Sequence, residues 1–235
     1  MDALVTFLDD LPILSVITFL PVIGAIILLS IRGEEAVVAQ QSRQVALLVT
    51  VTTFLLSLTI WFGFDSSTAA FQFEEKVEWL PQFNMAYRMG VDGISMPFVI
   101  LSTFLTTICI LASRHAIQKM VREYMIAFLI LETMMVGMFC ALDMVLFYVF
   151  FEGVLMPMFL IIGIWGGGRR VYSAFKFFLY TLTGSVLLLV AILAMYLQEG
   201  TTDIPTLMNA RLAKIVHGLT LPKSVRMCGS NRWPD

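Results

Sequence analysis

The chain has 235 residues, 59% of them hydrophobic and only 14% charged, with a mean hydropathy of +0.87. No ordinary soluble domain has this composition. The formal net charge of -2 arises from basic and acidic residues spread along the chain; they form no nucleic-acid-binding patch, and no nucleic-acid partner is expected.

Six apolar stretches follow one another in chain order: Leu11 to Ile31, Val45 to Phe64, Ile94 to Ala112, Tyr124 to Leu142, Met144 to Trp165, and Phe177 to Leu197. Each has the length of a membrane-spanning helix of roughly 20 residues. A backbone in hydrocarbon must satisfy its own hydrogen bonds, and these continuous apolar runs lack the alternation of a lipid-facing barrel strand. The expected fold is therefore an all-α polytopic bundle of six spans. Asp2, Asp9 and Asp10 precede the first span where a secretory signal would carry positive charge, so it reads as an uncleaved helix.

Basic residues set the orientation. Arg32 and Arg43 are assigned to the first connection, Arg114, Lys119 and Arg122 to the third, and Arg169, Arg170 and Lys176 to the fifth. By the positive-inside rule these three lie on the cytoplasmic side and the N-terminus faces outward. The second connection, Asp65 to Asp92, is the longest and mixes aromatic residues with acids, which suggests a surface-lying segment or a short hairpin. Pro81 and the Met89 to Gly93 stretch would return the chain to the membrane, with Asp92 capping the third helix and Pro97 in its first turn.

Other motifs exclude more than they assign. Cys109, Cys140 and Cys228 form no CxxC pair, and His115 and His217 fall outside the spans, so no disulfide, zinc, iron–sulfur or haem site is expected in this chain. Gly166, Gly167 and Gly168 precede two arginines but lack the GK[ST] ending of a phosphate loop, and read as a turn between two spans.

Two carboxylic acids interrupt the apolar runs. Glu132 and Glu152 each lie ten residues from Leu142, on either side of the turn joining the fourth and fifth spans. At about 1.5 Å per residue both sit roughly 15 Å below that turn, near mid-bilayer. Acids at such depth mark proton or ion pathways, whereas the bland alternative is a carboxyl that merely fixes helix packing. Pro157 falls inside the fifth span, where it frees the carbonyl of Gly153. The face bearing Glu152, Gly153 and Pro157 should consequently meet protein or water. An acid that takes and releases protons needs a movable cation; Lys176, near the cytoplasmic rim of the sixth span, is the nearest, either as a proton-entry residue or as a snorkelling anchor.

Three stretches resemble a known family. Gly90-Val91-Asp92-Gly93-Ile94-Ser95, Ala141-Leu142-Asp143 through Glu152 to Pro157, and Ala174-Phe175-Lys176-Phe177-Phe178-Leu179-Tyr180 are similar to the N-terminal part of the M-type (chain 4) antiporter-like subunit of NADH:quinone oxidoreductase, respiratory complex I. The similarity spans about residues 1–209. It implies a proton-translocating membrane subunit without a redox centre of its own, catalytic only as part of the enzyme. NAD, FMN, iron–sulfur clusters and quinone would belong to partner subunits, among which neighbouring antiporter-like subunits are the expected contacts in the lipid bilayer. The resemblance makes Glu152 the family's essential glutamate, which pairs with a lysine on a broken seventh helix, and gives Lys176 and Glu132 secondary proton-handling roles. A bacterial inner membrane is expected in preference to the mitochondrial one. Residues 210–235 depart from the family pattern as a basic tail bearing Arg211, Lys214, Lys223, Arg226 and Arg232, which suggests a truncated or frame-shifted sequence. The competing readings are a subunit of a multi-subunit Na+/H+ antiporter and a non-transporting membrane scaffold.

Overall fold

A computed structural model describes residues 12–65, 67–68, 70–80 and 85–208. The expectations for Asp2, Asp9, Asp10, Pro81, His217, Cys228 and the 210–235 tail lie outside the described residues, as does the His115 side chain. Among these residues are six long helices: α1 (Ile13–Ser30), α2 (Glu35–Gly63), α3 (Ser95–Ala116), α4 (Val121–Cys140), α5 (Met144–Trp165) and α6 (Arg170–Glu199). All six are long and apolar enough to cross a membrane. Between α2 and α3 runs the hairpin suggested by the long connection, with β1 (Gln72–Leu80) antiparallel to β2 (Met85–Val91).

Several helices outrun the hydrocarbon. α2 has 29 residues and α6 has 30, lengths of about 44 Å against a core of about 30 Å. Apolar stretches mark only what contacts lipid, whereas a helix continues for as long as its residues favour it. Glu35 to Gln44 hold no glycine or proline and extend α2 by ten residues beyond the expected start. Arg43 therefore stands on α2 and not in the first connection; Arg114, Arg122, Arg170 and Lys176 are likewise helical, leaving Arg32, Lys119 and Arg169 in the short turns. These basic residues still gather at one end of the bundle. There Arg43 Nη2 donates to the Ile117 carbonyl, Arg122 Nη1 to that of Ile31, and Trp165 Nε1 to that of Lys119.

The hairpin closes the opposite end. Glu75 accepts from the Leu14 and Ser15 amides and from the Ser15 hydroxyl, which also bonds Tyr87, so a strand residue caps α1. The register shifts between Gln72 and Glu75, and Phe73 adopts φ 54° there. This bulge places the Phe73 ring against Gly63 at the end of α2. Asp92 caps α3 as expected, its carboxylate accepting from the Ile94 and Ser95 amides. Pro97 lies in the first turn of that helix.

α4 is the hub. It packs against α1, α2, α3 and α5, and 56% of its apolar window is buried, whereas α6 packs chiefly on α5 and buries 11%. Close approach of α4 and α5 depends on two glycines: a Cβ on Gly137 would lie 2.5 Å from the Phe150 ring, and one on Gly153 would lie 2.5 Å from Met134 Sδ. In lipid, association rests on packing of this kind, because apolar side chains gain nothing by leaving the tails. Gly137→Ala should force Phe150 out of its seat and cost about 1–3 kcal/mol, seen as a lower Tm for the detergent-solubilised protein; an unchanged Tm would show that the seam is loosely packed.

Candidate functional site: two membrane acids and the clamp at the hairpin end

Glu132 lies on α4 and Glu152 on α5, each ten residues from Leu142 in the turn between them. Glu132 is fully buried, and neither carboxylate oxygen has a hydrogen-bond partner. Glu152 is half-buried, with Oε2 enclosed and also unpartnered. The more buried acid is thus the one that the family resemblance supports less. Fully buried Thr18 on α1 likewise has an unpartnered hydroxyl.

Depth alone suggests a carboxylate pair, and the wheel geometry of the helices separates them. Met134 and Gly137 face α5. At 100° per residue, Glu132 lies on the opposite side of α4, on one stripe with Met125, Leu129 and Val136. Met125 and Leu129 pack with residues of α1, α2 and α3, including Leu28, Val49 and Ile110. Glu132 therefore belongs to the α1–α4 core. On α5, Phe150, Gly153 and Pro157 form the stripe that meets α4. Glu152 instead shares a stripe with Phe159, seven residues on, whose ring lies 5.4 Å from both Phe175 and Phe178 of α6. The two acids point into different compartments of the bundle.

Lys176 is not at the level of either acid. Gly163 approaches Ala174 closely, with a Cβ on Gly163 3.6 Å from that of Ala174. The antiparallel register this fixes sets Lys176 beside Ile161, nine residues or about 14 Å from Glu152 along the axis. Its side chain is exposed. The α6 residue about level with Glu152 is Ser185, buried at 2% exposure with its hydroxyl bonded to the Leu182 carbonyl. Sequence reading passed over Ser185 because a serine in an apolar helix carries no distinguishing pattern; only the register reveals it. Among the described residues the ion pairs are Arg88–Glu74, Arg88–Asp203 and Arg122–Glu123, none of which includes Glu132, Glu152 or Lys176.

Pro157 is buried in a helix that continues to Trp165. The single face expected for Glu152, Gly153 and Pro157 is divided: Gly153 and Pro157 meet α4, as the freed Gly153 carbonyl requires, while Glu152 turns toward α6. A second internal proline, Pro21, is buried in α1.

Beyond the hairpin end of these helices lies a polar clamp that was also not anticipated. Asp143 is 2% exposed and caps α5, accepting from the Val145 and Leu146 amides and from Thr202 Oγ1. Backbone bonds from Met144 to Thr202, from Ile204 to Leu142 and from Leu142 to Arg88 lace the α4–α5 turn to the hairpin and to the segment after α6. Arg88 bridges Glu74 and Asp203, each at 2.6 Å. Hydrogen bonding to Glu74 holds the Arg88 guanidinium above its ordinary pKa despite partial burial. Burial pushes Asp203 up, but hydrogen bonds from Thr206 and Arg88 outweigh it and leave the carboxyl below its usual value.

The comparisons agree on the lineage of this arrangement. Residues 17–142, more than half of the chain, match the family described as NADH-ubiquinone oxidoreductase chain 4, amino terminus. The chain belongs to this family. Residues 141–227 match the transmembrane family of NADH:quinone oxidoreductase and Mrp antiporters. Over 198 residues, 84% of the chain, it is 54% identical to NADH-quinone oxidoreductase subunit M of Rhodobacter capsulatus, and it is 48% identical to NADH-ubiquinone oxidoreductase chain 4 of Arabidopsis thaliana over 202 residues, 86% of the chain. It covers 38% and 40% of those two relatives, so it spans about two fifths of their length. Among solved structures, respiratory complex I from Thermus thermophilus with bound NADH matches 83% of the chain and 39% of its own with TM-score 0.70 at 26% identity. The Mrp complex from Dietzia sp. DQ12-45-1b matches 81% of the chain and 20% of its own, TM-score 0.66 at 20% identity, a likeness of fold.

Within this family fold the clamp has a measurable consequence. Arg88→Gln should loosen residues 200–208 by about 1 kcal/mol, read as faster hydrogen exchange of the Met144 and Ile204 amides with the rest of the bundle unchanged. Because the folded pKa of Asp203 is depressed, its contribution is present above the unfolded value of about 4 and is lost as pH falls through the folded one. The protection of the same amides, corrected for the intrinsic pH dependence of exchange, should therefore fall on acidification in the wild type and fall less in the Arg88 variant, where only the Thr206 bonds to Asp203 remain.

Proposed function

We propose that this chain supplies the first helices of a proton-translocating membrane subunit of NADH:quinone oxidoreductase. The observation that carries the reading is Glu152, an acid within an apolar helix with an enclosed unpartnered oxygen, in the stretch that matches the NADH:quinone oxidoreductase/Mrp antiporter transmembrane family. The subunit works as part of the enzyme, with NAD, FMN, iron–sulfur clusters and quinone held by partner subunits and neighbouring antiporter-like subunits as its contacts. Its basic end faces the cytoplasm and the N-terminus faces outward, in a bacterial inner membrane.

Glu152 is the proton-carrying acid. Its stripe on α5 is turned toward α6, which leaves it beside a helix that is mostly exposed in the chain as described. The cation that drives its protonation cycle is the lysine of the family's seventh helix, since Lys176 lies about 14 Å away along the axis. Changing the separation of that ion pair would swing both groups between charged and neutral forms, so that a proton loads from one side and leaves on the other. Lys176 serves at the rim, where an exposed ammonium on a basic face can pass protons inward. Glu132 lies in a separate compartment and is a secondary station.

In the full-length protein within its assembled enzyme, Glu152→Gln should leave assembly and quinone-linked NADH oxidation measurable while abolishing proton pumping in vesicles. Unchanged pumping in an intact complex would sink the transport assignment. Glu132→Met separates stability from function for the other acid. Removing two buried, unpartnered oxygens should leave stability the same or raise it by about 1 kcal/mol, while a proton role predicts slower pumping. A loss of stability with pumping intact would instead make Glu132 a packing residue.

A further inference from the structure

Among the described residues two clefts at the basic end of the bundle differ in their chemistry. The larger, about 430 Å³, lies between the α1–α2 and α3–α4 turns, where Arg32 and Arg122 are accompanied by Glu35 and Glu123. Arg122 already pairs with Glu123 at 2.9 Å. The smaller, about 170 Å³, opens on the seam between α2 and α3 and is lined by Gln40, Arg43, Gln44, Leu47, Ile110, Leu111 and Arg114. It has two guanidinium groups and no carboxylate.

Neither arginine of this second cleft is neutralised among the described residues. Arg43 spends one Nη2 hydrogen on the Ile117 carbonyl, and its Nε is enclosed without a partner. A buried N–H of this kind is an unmet donor beside an uncompensated charge. Arg114 is exposed at the same level on the neighbouring helix. The two amide side chains add donors that suit an oxyanion.

The placement of the cleft selects its occupant. α2 outruns the hydrocarbon core, so its first turns, which carry Gln40, Arg43 and Gln44, stand at headgroup depth. Directly below Gln44 on the same outward stripe are Leu48 and Leu55, 67% and 58% exposed; below Arg114 on α3 are Leu111 and Phe104, 51% and 43% exposed. Phe104 meets Phe54 of α2 with ring centroids 5.4 Å apart, which floors the seam. The surface thus runs from two unpaired cations at the rim to an apolar furrow toward mid-membrane. That sequence of polarity matches a phospholipid with an anionic head, and basic pockets between membrane helices are suited to such headgroups. A free phosphate would use only the upper half.

We propose that the α2–α3 seam is a binding site for an anionic phospholipid, with its phosphodiester held by Arg43 and Arg114 and an acyl chain along Leu48, Leu111 and Phe104. The ligand tethers the extended end of α2 to α3 at the basic face. It neutralises the two guanidinium charges, and it lends the seam a dependence on lipid composition that neither the acids nor the hairpin clamp would give.

The test uses the full-length protein in its assembled membrane complex, reconstituted with phosphatidylglycerol carrying a diazirine on the acyl chain, or with the phosphatidylcholine equivalent. Cross-linked peptides are mapped after illumination. The expected result is labelling of the 44–55 and 101–114 segments by phosphatidylglycerol well above that by phosphatidylcholine, falling about thirtyfold in Arg43→Gln/Arg114→Gln. Arg43→Lys/Arg114→Lys should keep most of the labelling, and Arg32→Gln in the mixed-charge cleft should keep all of it. Excess inorganic phosphate should leave it in place. Equal labelling in the glutamine variant overturns the site, as does an absence of labelling in the wild type, which would mean that protein covers the seam. Displacement by inorganic phosphate overturns the lipid in favour of a free-anion site. Should the glutamine variant not assemble, the two lipids compared on the wild type and the lysine variant still decide the outcome.

Discussion

A backbone in hydrocarbon has no water to turn to, so every amide and carbonyl must be paired within its own helix or against a neighbouring one. In this chain that constraint fixes the six helices and also determines where everything polar can go. Most serines and threonines of α2 and α3 turn their hydroxyls onto carbonyls three or four residues back, as at Thr50, Thr53, Thr106 and Ser113. Only Ser57 and Thr103 join the two helices by a side-chain bond, at 2.9 Å, among the described residues. Once most hydroxyls have satisfied themselves in this way, the buried side-chain atoms left without partners among the described residues stand out: both oxygens of Glu132, one of Glu152 and the Thr18 and Ser42 hydroxyls, besides the Nε of Arg43 and of Arg122 at the basic end. Function in a membrane chain is sought among such remainders, because selection has no packing reason to keep them.

The central position of α4 explains why two acids at equal depth have different surroundings. A helix with neighbours on several sides has no lipid face, so a residue on its far side from α5 is enclosed however polar it is. Glu132 is on that side. α5 has α4 on one side and α6 on another, and Glu152 occupies the second. Burial and chemical reach are therefore opposed here: Glu132 is the more completely enclosed, whereas Glu152 is the one that a moving neighbour or a cation could approach.

The spans were legible in the sequence because hydropathy over twenty residues reports directly on lipid contact. Their ends were not, since Glu35 to Gln44 extend α2 through polar residues that hydropathy scores as loop. Hairpin and Asp92 cap followed from the length of the connection and the local turn residues. The clamp of Arg88, Asp143, Thr202 and Asp203 escaped notice because it joins residues as far as 115 positions apart, and no local pattern encodes such a meeting. Glu132 and Glu152 could be read as acids at matching depth, yet the direction each faces depends on which neighbours α4 and α5 take. That is a property of tertiary packing. Lys176 could be placed near the rim from its position at the start of the sixth span, but its distance of about 14 Å from Glu152 along the axis follows only from the α5–α6 register.

Both ends of the α5–α6 pair are tied. At the basic end Gly163 lets Ala174 approach, and Gly166 and the glycines after it make the turn short. At the hairpin end Asp143 holds Thr202, and the Met144 amide bonds the Thr202 carbonyl at 2.9 Å. A rigid swing of α6 about either end would have to break the closure at the other. A change in the separation of Glu152 from α6 that preserves both closures has to be taken up within a helix, between its fixed ends. α6 is uninterrupted by proline from Arg170 to Glu199, while α5 has Pro157 one turn from Glu152, where a backbone hydrogen bond is already missing and the Gly153 carbonyl is free to tilt. Bending there moves Glu152 without breaking any further backbone bond, so the position of the proline relative to the acid is the feature through which motion in this part of the bundle would reach its charge.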